Sequence, residues 1–166
     1  MVNEKVTKEY FTSECLLQIL ISQYYHHYNE MEYDSLCLTP NIKETLKVLK
    51  SKNIKIHIMS NRGTKELEKI LRKLEIQNLC DTATGKSDSF REYGDVLKHI
   101  SNFYCIDNTK CLAVSNTKQG VDMGRKLSMK TCCISWGRLD VDTLAKNSPD
   151  ILISQSQNIS SKILAI

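Results

Sequence analysis

Short, largely apolar stretches recur along the chain and read as continuous runs. This pattern favours strands that are buried on both faces of a parallel sheet, since a half-exposed strand would alternate apolar and polar residues. A weaker stretch lies between the first two strong ones. The predicted strands cover residues 54–59, 80–83 (the weaker one), 111–114, 131–135 and 151–153.

Apolar residues between these stretches recur at the spacing of one helix face. Thr39 is predicted to cap one of the helices, with Pro40 at its first position. Strands that alternate with helices favour an α/β fold with helices on both faces of the sheet. We expect a helical segment over residues 1–38 and an α/β core over residues 39–166. The predicted helices cover residues 13–30, 41–52, 64–74, 94–103 and 120–127.

Composition narrows the function classes. The 166 residues include 23 basic and 19 acidic ones, and no basic cluster alternates with aromatic residues, so nucleic-acid binding is not expected. No apolar run approaches the ~20 residues of a membrane span, and the first residues lack a signal-peptide pattern. The seven cysteines are odd in number and lack Cys-x-x-Cys spacing, which predicts neither disulfides nor a zinc site. Cys132 and Cys133 should point to opposite faces of one strand. We therefore expect a cytoplasmic protein.

Candidate chemistry begins where the first strand ends. The stretch HIMSNRGT places Ser60 and Asn61 at the carboxyl end of that strand, with Gly63 just before the next helix. In open α/β sheets this edge is where ligands bind. The alternative interpretation is that Ser60 only opens a turn.

Three longer stretches resemble a known family. LTPNIKETLKVLKSKNIKIHIMSN, LAVSNTKQGVDMGRKLSMKTCCISWG and RLDVDTLAKNSPDILISQSQNI are similar to haloacid dehalogenase-like (HAD) hydrolases, and most of all to their phosphoglycolate-phosphatase-like group. The resemblance covers residues 36–163. It implies a Rossmann-like fold and Mg²⁺-dependent hydrolysis of phosphate monoesters. Ser60, with Asn61 beside it, matches the second motif of the family, whose hydroxyl holds phosphate.

The basic third motif has two candidates in this chain. Lys86 lies in TGKSDSF, and Arg91 lies in FREYGD. Arg91 is nearer the helix that follows the basic residue in the family and is slightly preferred. Either side chain would stabilise the charge of a bound phosphoryl group.

The fourth motif, which supplies acidic ligands for Mg²⁺ in the family, is altered. Asn116 stands where the family has Asp, and the second acidic position falls near Gly120, with Asp122 two residues further on. Asn116 and Asp122 are the metal candidates. Mg²⁺ is held mainly through carboxylates and water, so its affinity should fall sharply when an amide replaces a carboxylate.

The first motif, D-x-D-x-T with the nucleophilic Asp, is not found before residue 39. Asp140 and Asp142, in LDVDTL, are the catalytic candidates if the nucleophile is permuted. The alternative is an ordinary helix start, with Asp140 as the N-cap and Asp142 in the first turn.

The resemblance also implies that a central strand is missing. Its two neighbours would be left with unpaired backbone groups. Three alternatives would close the gap: strands 54–59 and 111–114 pair directly, residues 5–12 enter as a substitute strand, or a second copy pairs in a homodimer. The helix 13–30 resembles the last helix of the family's cap.

We therefore predict a HAD-like protein that is catalytically degenerate and retains phosphate or small-phosphate-ester binding, with neither nucleic acid nor membrane as a partner. Two alternatives stay open. One is a Mg²⁺-dependent phosphomonoester hydrolase whose site another carboxylate or a second chain completes. The other is a non-functional remnant of a longer enzyme.

Overall fold

The computed structural model describes residues 36–86, 93–136 and 140–165, and Leu38–Ile166 form one compact unit. The predicted helix 13–30 and the candidate strand 5–12 lie outside the described residues. Within these ranges, no helix is both long and apolar enough to cross a membrane. In chain order the elements are α1 (Ile42–Ser51), β1 (His57–Gly63), α2 (Thr64–Lys73), β2 (Thr82–Lys86), α3 (Tyr93–Phe103), β3 (Leu112–Ser115), α4 (Lys118–Lys126), β4 (Lys130–Ile134), α5 (Val141–Ala145), β5 (Ile151–Ile153) and α6 (Ile159–Leu164).

The strands run parallel to their partners but form two sheets in the part of the chain that the structure describes. β1 pairs with β2, and β3, β4 and β5 form a separate three-stranded sheet. Each pair is connected through a helix, as parallel neighbours require. The predicted α/β fold with a parallel arrangement is confirmed. Direct pairing of β1 with β3, one of the three ways to close the gap, is wrong.

Helices cover both faces of the three-stranded sheet. Cys132 and Cys133 are fully buried on β4 and belong to different apolar clusters. Cys132 packs with Ile159 of α6, whereas Cys133 packs with Val121 of α4. Because successive side chains on a strand point to opposite faces, the prediction for these two cysteines is confirmed. Full burial of an aliphatic side chain such as Val121 contributes about 1.5–3 kcal/mol.

Helix α1 packs on both sheets. Leu46 packs on the cluster that includes Ile58 of β1, while Ile42, one turn earlier, packs on the cluster of Ile159. Residues four apart share one helix face, so a single face of α1 reaches from one sheet to the other. In the other helical layer, α3 contacts β1 and α4.

β1 begins later than predicted because Ile54 belongs to the end of α1. Asn53 has a left-handed φ of 59°, and the N–H of Ile54 donates to the carbonyl of Leu49 at 3.1 Å, as in a Schellman motif. β1 then continues through Gly63, so that Ser60 lies within the strand.

The start of α1 also differs from the prediction. The N-cap residue is Asn41, with a φ of 70°, and the helix begins at Ile42. Thr39 is therefore not the cap and Pro40 not the first helical residue. The carbonyl of Thr39 instead accepts the N–H of Ile42 at 3.3 Å, which satisfies one backbone donor at this helix start. Among the described residues, the other predicted elements agree apart from shifts at their ends, and α6 was not predicted.

Candidate functional site

β1 ends in a bulge between Ser60 and Gly63, and residues 60–64, which lead into α2, are called the β1 turn. Ser60 is paired with Gly85 of β2, and the next paired residue is Gly63, opposite Lys86. The two residues between them on β1 have no counterparts on β2. A bulge of this kind bends the strand and re-aims the chain at its end.

Gly85 leaves the space that the β1 turn occupies. A Cβ on Gly85 would overlap the backbone of Arg62 and Thr64, so only glycine fits beneath the turn. The N–H of Gly85 also donates to the Thr64 hydroxyl oxygen at 3.0 Å. By contrast, a Cβ on Gly63 would meet no atom within 4 Å. The turn is therefore packed on the side of β2 and open at Gly63.

The β1 turn presents hydrogen-bond donors. The Ser60 hydroxyl oxygen accepts the N–H of Arg62 at 3.1 Å, which leaves the hydroxyl hydrogen to donate to another acceptor. Helix α2 begins at Thr64 after Gly63, with no side-chain cap hydrogen bond. The first N–H groups of a helix lack intrahelical partners, and with the helix dipole they favour anions. These groups suit a phosphate.

Lys86 is the basic candidate that lies at the β1 turn. It is the exposed last residue of β2 and stands opposite Gly63 in the register. Arg91 lies outside the described ranges, so the choice between the two stays a prediction. Sequence reasoning assigned no role to Arg62, which lies inside the turn and forms an ion pair with Glu66 of α2. Its place between Asn and Gly in SNRG was the available signal.

Residues 115–120, from the last residue of β3 to the first turn of α4, are called the β3 turn. The Ser115 hydroxyl oxygen accepts the N–H of Thr117 at 3.2 Å. Thr117 is the N-cap of α4 and accepts the N–H of Gly120 at 3.2 Å. A Cβ on Gly120 would overlap the Ser115 side chain. The β3 turn thus uses its own hydroxyl groups to satisfy the start of its helix.

The β3 turn does not fit Mg²⁺, the ion that the resemblance implied. Asn116 offers a neutral amide. An acidic residue does not fit in place of Gly120, because its Cβ would overlap the Ser115 side chain. The carboxylate of Asp122 lies 3.6 Å from the ammonium of Lys118, one turn away on α4. Across the described ranges, no group of three His, Cys, Asp or Glu residues could hold a metal ion. A hard cation prefers several carboxylate oxygens.

Asp140 is the N-cap of α5, as the ordinary interpretation of LDVDTL predicted. Its carboxylate accepts the N–H of Thr143 at 2.8 Å and the Thr143 hydroxyl at 2.9 Å. These hydrogen bonds lower the pKa of Asp140 below its usual range. Asp142 lies in the first turn of the same helix. A nucleophilic role for either residue stays a prediction.

Comparison with known proteins gives one family match and several similar proteins. Residues 2–134 match a family described as haloacid dehalogenase-like hydrolase. A phosphoglycolate phosphatase from Aquifex aeolicus (strain VF5) is 28% identical over 160 residues, which are 94% of this chain and 70% of that protein. A haloacid dehalogenase-like hydrolase from Streptococcus pneumoniae has a TM-score of 0.80 at 18% identity, covering 91% of this chain and 71% of that one. A β-phosphoglucomutase from Clostridium difficile has a TM-score of 0.73 at 17% identity, covering 98% of this chain and 71% of that one. At such identities the two structures show the fold alone.

Proposed function

Because this chain belongs to the haloacid dehalogenase-like hydrolases, we propose that it binds the phosphate group of a small phosphate ester at the β1 turn without hydrolysing it. The Ser60 hydroxyl and the first N–H groups of α2 donate hydrogen bonds to the phosphate oxygens, and Lys86 supplies positive charge. The ester class is suggested by the phosphoglycolate phosphatase to which the chain is similar.

One contact carries the proposed loss of hydrolysis. Phosphatases of this family generally use Mg²⁺. Such an ion lets negatively charged groups approach a phosphate. The family's second acidic position falls near Gly120, and the Ser115 side chain occupies the space beside this glycine. Asn116 removes a further negative charge. Both changes weaken a cation site without touching the donors of the β1 turn.

A phosphatase assay with a parallel binding titration tests the proposal. Small phosphate monoesters are offered with and without Mg²⁺, and we expect no turnover above background. Inorganic phosphate should bind, and Ser60→Ala should weaken it about tenfold, because a hydrogen bond to a charged group is worth about 1.5–3 kcal/mol. Ser161→Ala, which removes an exposed hydroxyl on α6, is the matched control and should change nothing.

The similarity to a phosphoglycolate phosphatase favours a second candidate, a Mg²⁺-dependent phosphomonoester hydrolase whose site another carboxylate or a second chain completes. Mg²⁺-dependent turnover that Ser60→Ala abolishes would contradict the degenerate interpretation and select this candidate. Asp122, Asp140 and Asp142 would then be replaced in turn. If the chain neither turns over esters nor binds phosphate, the remnant interpretation stands.

A further inference from the structure

A carboxylate lies beside the proposed phosphate donors. Glu66 is the third residue of α2 and belongs to the first turn of that helix. A glutamate at this position commonly turns back to accept a backbone N–H at the helix start. In that orientation the carboxylate would occupy the N–H groups that the β1 turn offers to a phosphate, and it would repel an anion bound there.

The Glu66 carboxylate is paired with Arg62 instead. The Arg62 guanidinium donates a hydrogen bond to it and forms an ion pair with it. Within the described ranges, Glu66 accepts a hydrogen bond from no backbone N–H of α2. The two side chains are only 23% and 22% exposed, whereas those of Lys118 and Asp122, an ion pair of the same spacing at α4, are 70% and 42% exposed. Because a shielded pair is screened less by salt, we expect the Arg62–Glu66 pair to persist in solution.

The backbone of the β1 turn fixes the place of Arg62. Its N–H donates to the Ser60 hydroxyl oxygen at 3.1 Å, and its carbonyl lies where a Cβ on Gly85 would overlap it. Arg62 is one of the two bulge residues that have no counterpart on β2. A bulge re-aims the side chains that it carries, and here the side chain reaches α2. The turn that presents the donors therefore also carries the cation that binds Glu66.

We propose that Arg62 is a positioning residue that keeps the Glu66 carboxylate away from the start of α2 and so leaves the helix-start N–H groups to a phosphate. Without Arg62 the carboxylate becomes an internal competitor, since it is an anion attached to the same helix turn as those donors. The inference rests on the proposed phosphate binding for its ligand. The position of the carboxylate, however, can be measured without any ligand.

Titration of the full chain with inorganic phosphate tests this role through three variants: Arg62→Ala, Glu66→Gln and the two combined. Arg62→Ala should weaken phosphate binding at least about tenfold, because the released carboxylate occupies the donors and adds a like charge. Glu66→Gln should bind phosphate at least as tightly as the wild type. The double variant should regain most of the affinity that Arg62→Ala loses, since no carboxylate is left to compete.

Two results of this titration would overturn the proposal. A double variant that binds phosphate as weakly as Arg62→Ala would mean that Arg62 contacts the phosphate itself. Equal losses in Arg62→Ala and Glu66→Gln would mean that the ion pair only ties the turn to the helix. Lys43→Ala is the control, because it breaks an ion pair with Glu75, beyond the other end of α2, and should leave phosphate affinity unchanged. If Arg62→Ala fails to fold, Arg62→Met keeps the long side chain without the charge and takes its place.

Amide hydrogen exchange, followed by NMR without a ligand, tests where the carboxylate lies. At least one N–H among residues 63–65 should exchange about threefold more slowly in Arg62→Ala than in the double variant, which lacks the same arginine, because the carboxylate then accepts it. Equal exchange in the two variants would overturn the proposal even if the wild type binds phosphate. Slower exchange in Arg62→Ala, together with a wild type that binds no phosphate, would support the hold of Arg62 on Glu66 and contradict the proposed phosphate binding.

Discussion

The β1 turn and the β3 turn both lead from a parallel strand into a helix, but they use their hydroxyl groups differently. In the β1 turn, the Ser60 oxygen accepts a backbone N–H, and α2 begins without a capping side chain. In the β3 turn, Ser115 packs against Gly120, and Thr117 caps α4. The first turn leaves its helix start without a side-chain cap, whereas the second caps its helix with its own hydroxyl groups.

The placement of glycine explains this difference. Gly85 lets the β1 turn lie over β2, and Gly63 leaves the start of α2 open. In the β3 turn, Gly120 makes room for Ser115, so the glycine closes the turn instead of opening it. A serine after a strand is therefore not enough to form an anion site, because the space and donors around it must also be free.

The largest effect is expected from Gly85→Ala, which breaks the β1 turn. The new methyl group would overlap the backbone of Arg62 and Thr64, so the free energy of unfolding should fall by about 1–3 kcal/mol and phosphate binding should be lost. Urea unfolding and a phosphate titration measure both. Gly63→Ala is the control, with open space around the new atom, and should cost less than about 1 kcal/mol. Equal losses in the two variants would contradict the assigned packing.

The second largest effect, a gain in Mg²⁺ affinity, is expected when acidic residues are introduced into the β3 turn. Ser115→Gly combined with Asn116→Asp and Gly120→Asp frees the space beside residue 120 and adds two carboxylates. We expect Mg²⁺ to bind at least about tenfold more tightly than to the wild type, and to raise the melting temperature accordingly. Gly120→Asp alone is the control and should destabilise the chain, since Ser115 stays in place. A triple variant that binds Mg²⁺ no better than the wild type would refute the role given to this contact.

A smaller effect should follow when the β1 turn is made to resemble the β3 turn. Gly63→Asp adds an N-cap side chain to α2, which should stabilise the chain by only about a few tenths of a kcal/mol. The carboxylate would use the same N–H groups as a phosphate and repel it, so phosphate affinity should fall about tenfold. Gly63→Asn caps without a charge and separates the two causes. Phosphate affinity that stays at the wild-type value in Gly63→Asp would show that the anion binds elsewhere.

The smallest effect is the pH dependence of stability that His57 of β1 contributes. His57 Nδ1 lies 2.8 Å from the Thr82 hydroxyl oxygen, and burial lowers the pKa of His57 from its ordinary value of 6.5, although Asp81 opposes this shift. Between the two pKa values the unfolded chain binds the proton more readily, so stability falls as the pH drops from about 6.5 towards the lower value. Melting curves from about pH 8 to about pH 5 should show this slope, and His57→Gln should remove it. A slope of the same size in His57→Gln would assign it to other groups.

Sequence patterns predicted the elements whose determinants are local. The apolar run Ile151–Ile153 is a strand over the predicted residues, and the helix predicted from Thr64 begins there. The start of β1 was predicted too early because Ile54 looks like a strand residue but closes the cap that Asn53 forms in a left-handed conformation. An asparagine at that position is a known helix-end signal.

The candidate site, like the fold, was predicted only where its determinants are local. The end of the first strand pointed to Ser60, but the bulge around it depends on Gly85 of the neighbouring strand, a contact that no local pattern contains. The Ser115–Gly120 contact spans one helix start and was within reach of sequence reasoning. The division of the strands into two sheets is not encoded in any single element.

The most direct test is a calorimetric titration of the wild-type chain with inorganic phosphate, with and without Mg²⁺. We expect phosphate to bind without the ion and Mg²⁺ to leave the affinity unchanged, because the β1 turn supplies the donors and the β3 turn supplies no cation site. Absence of binding, or binding that requires Mg²⁺, would contradict it.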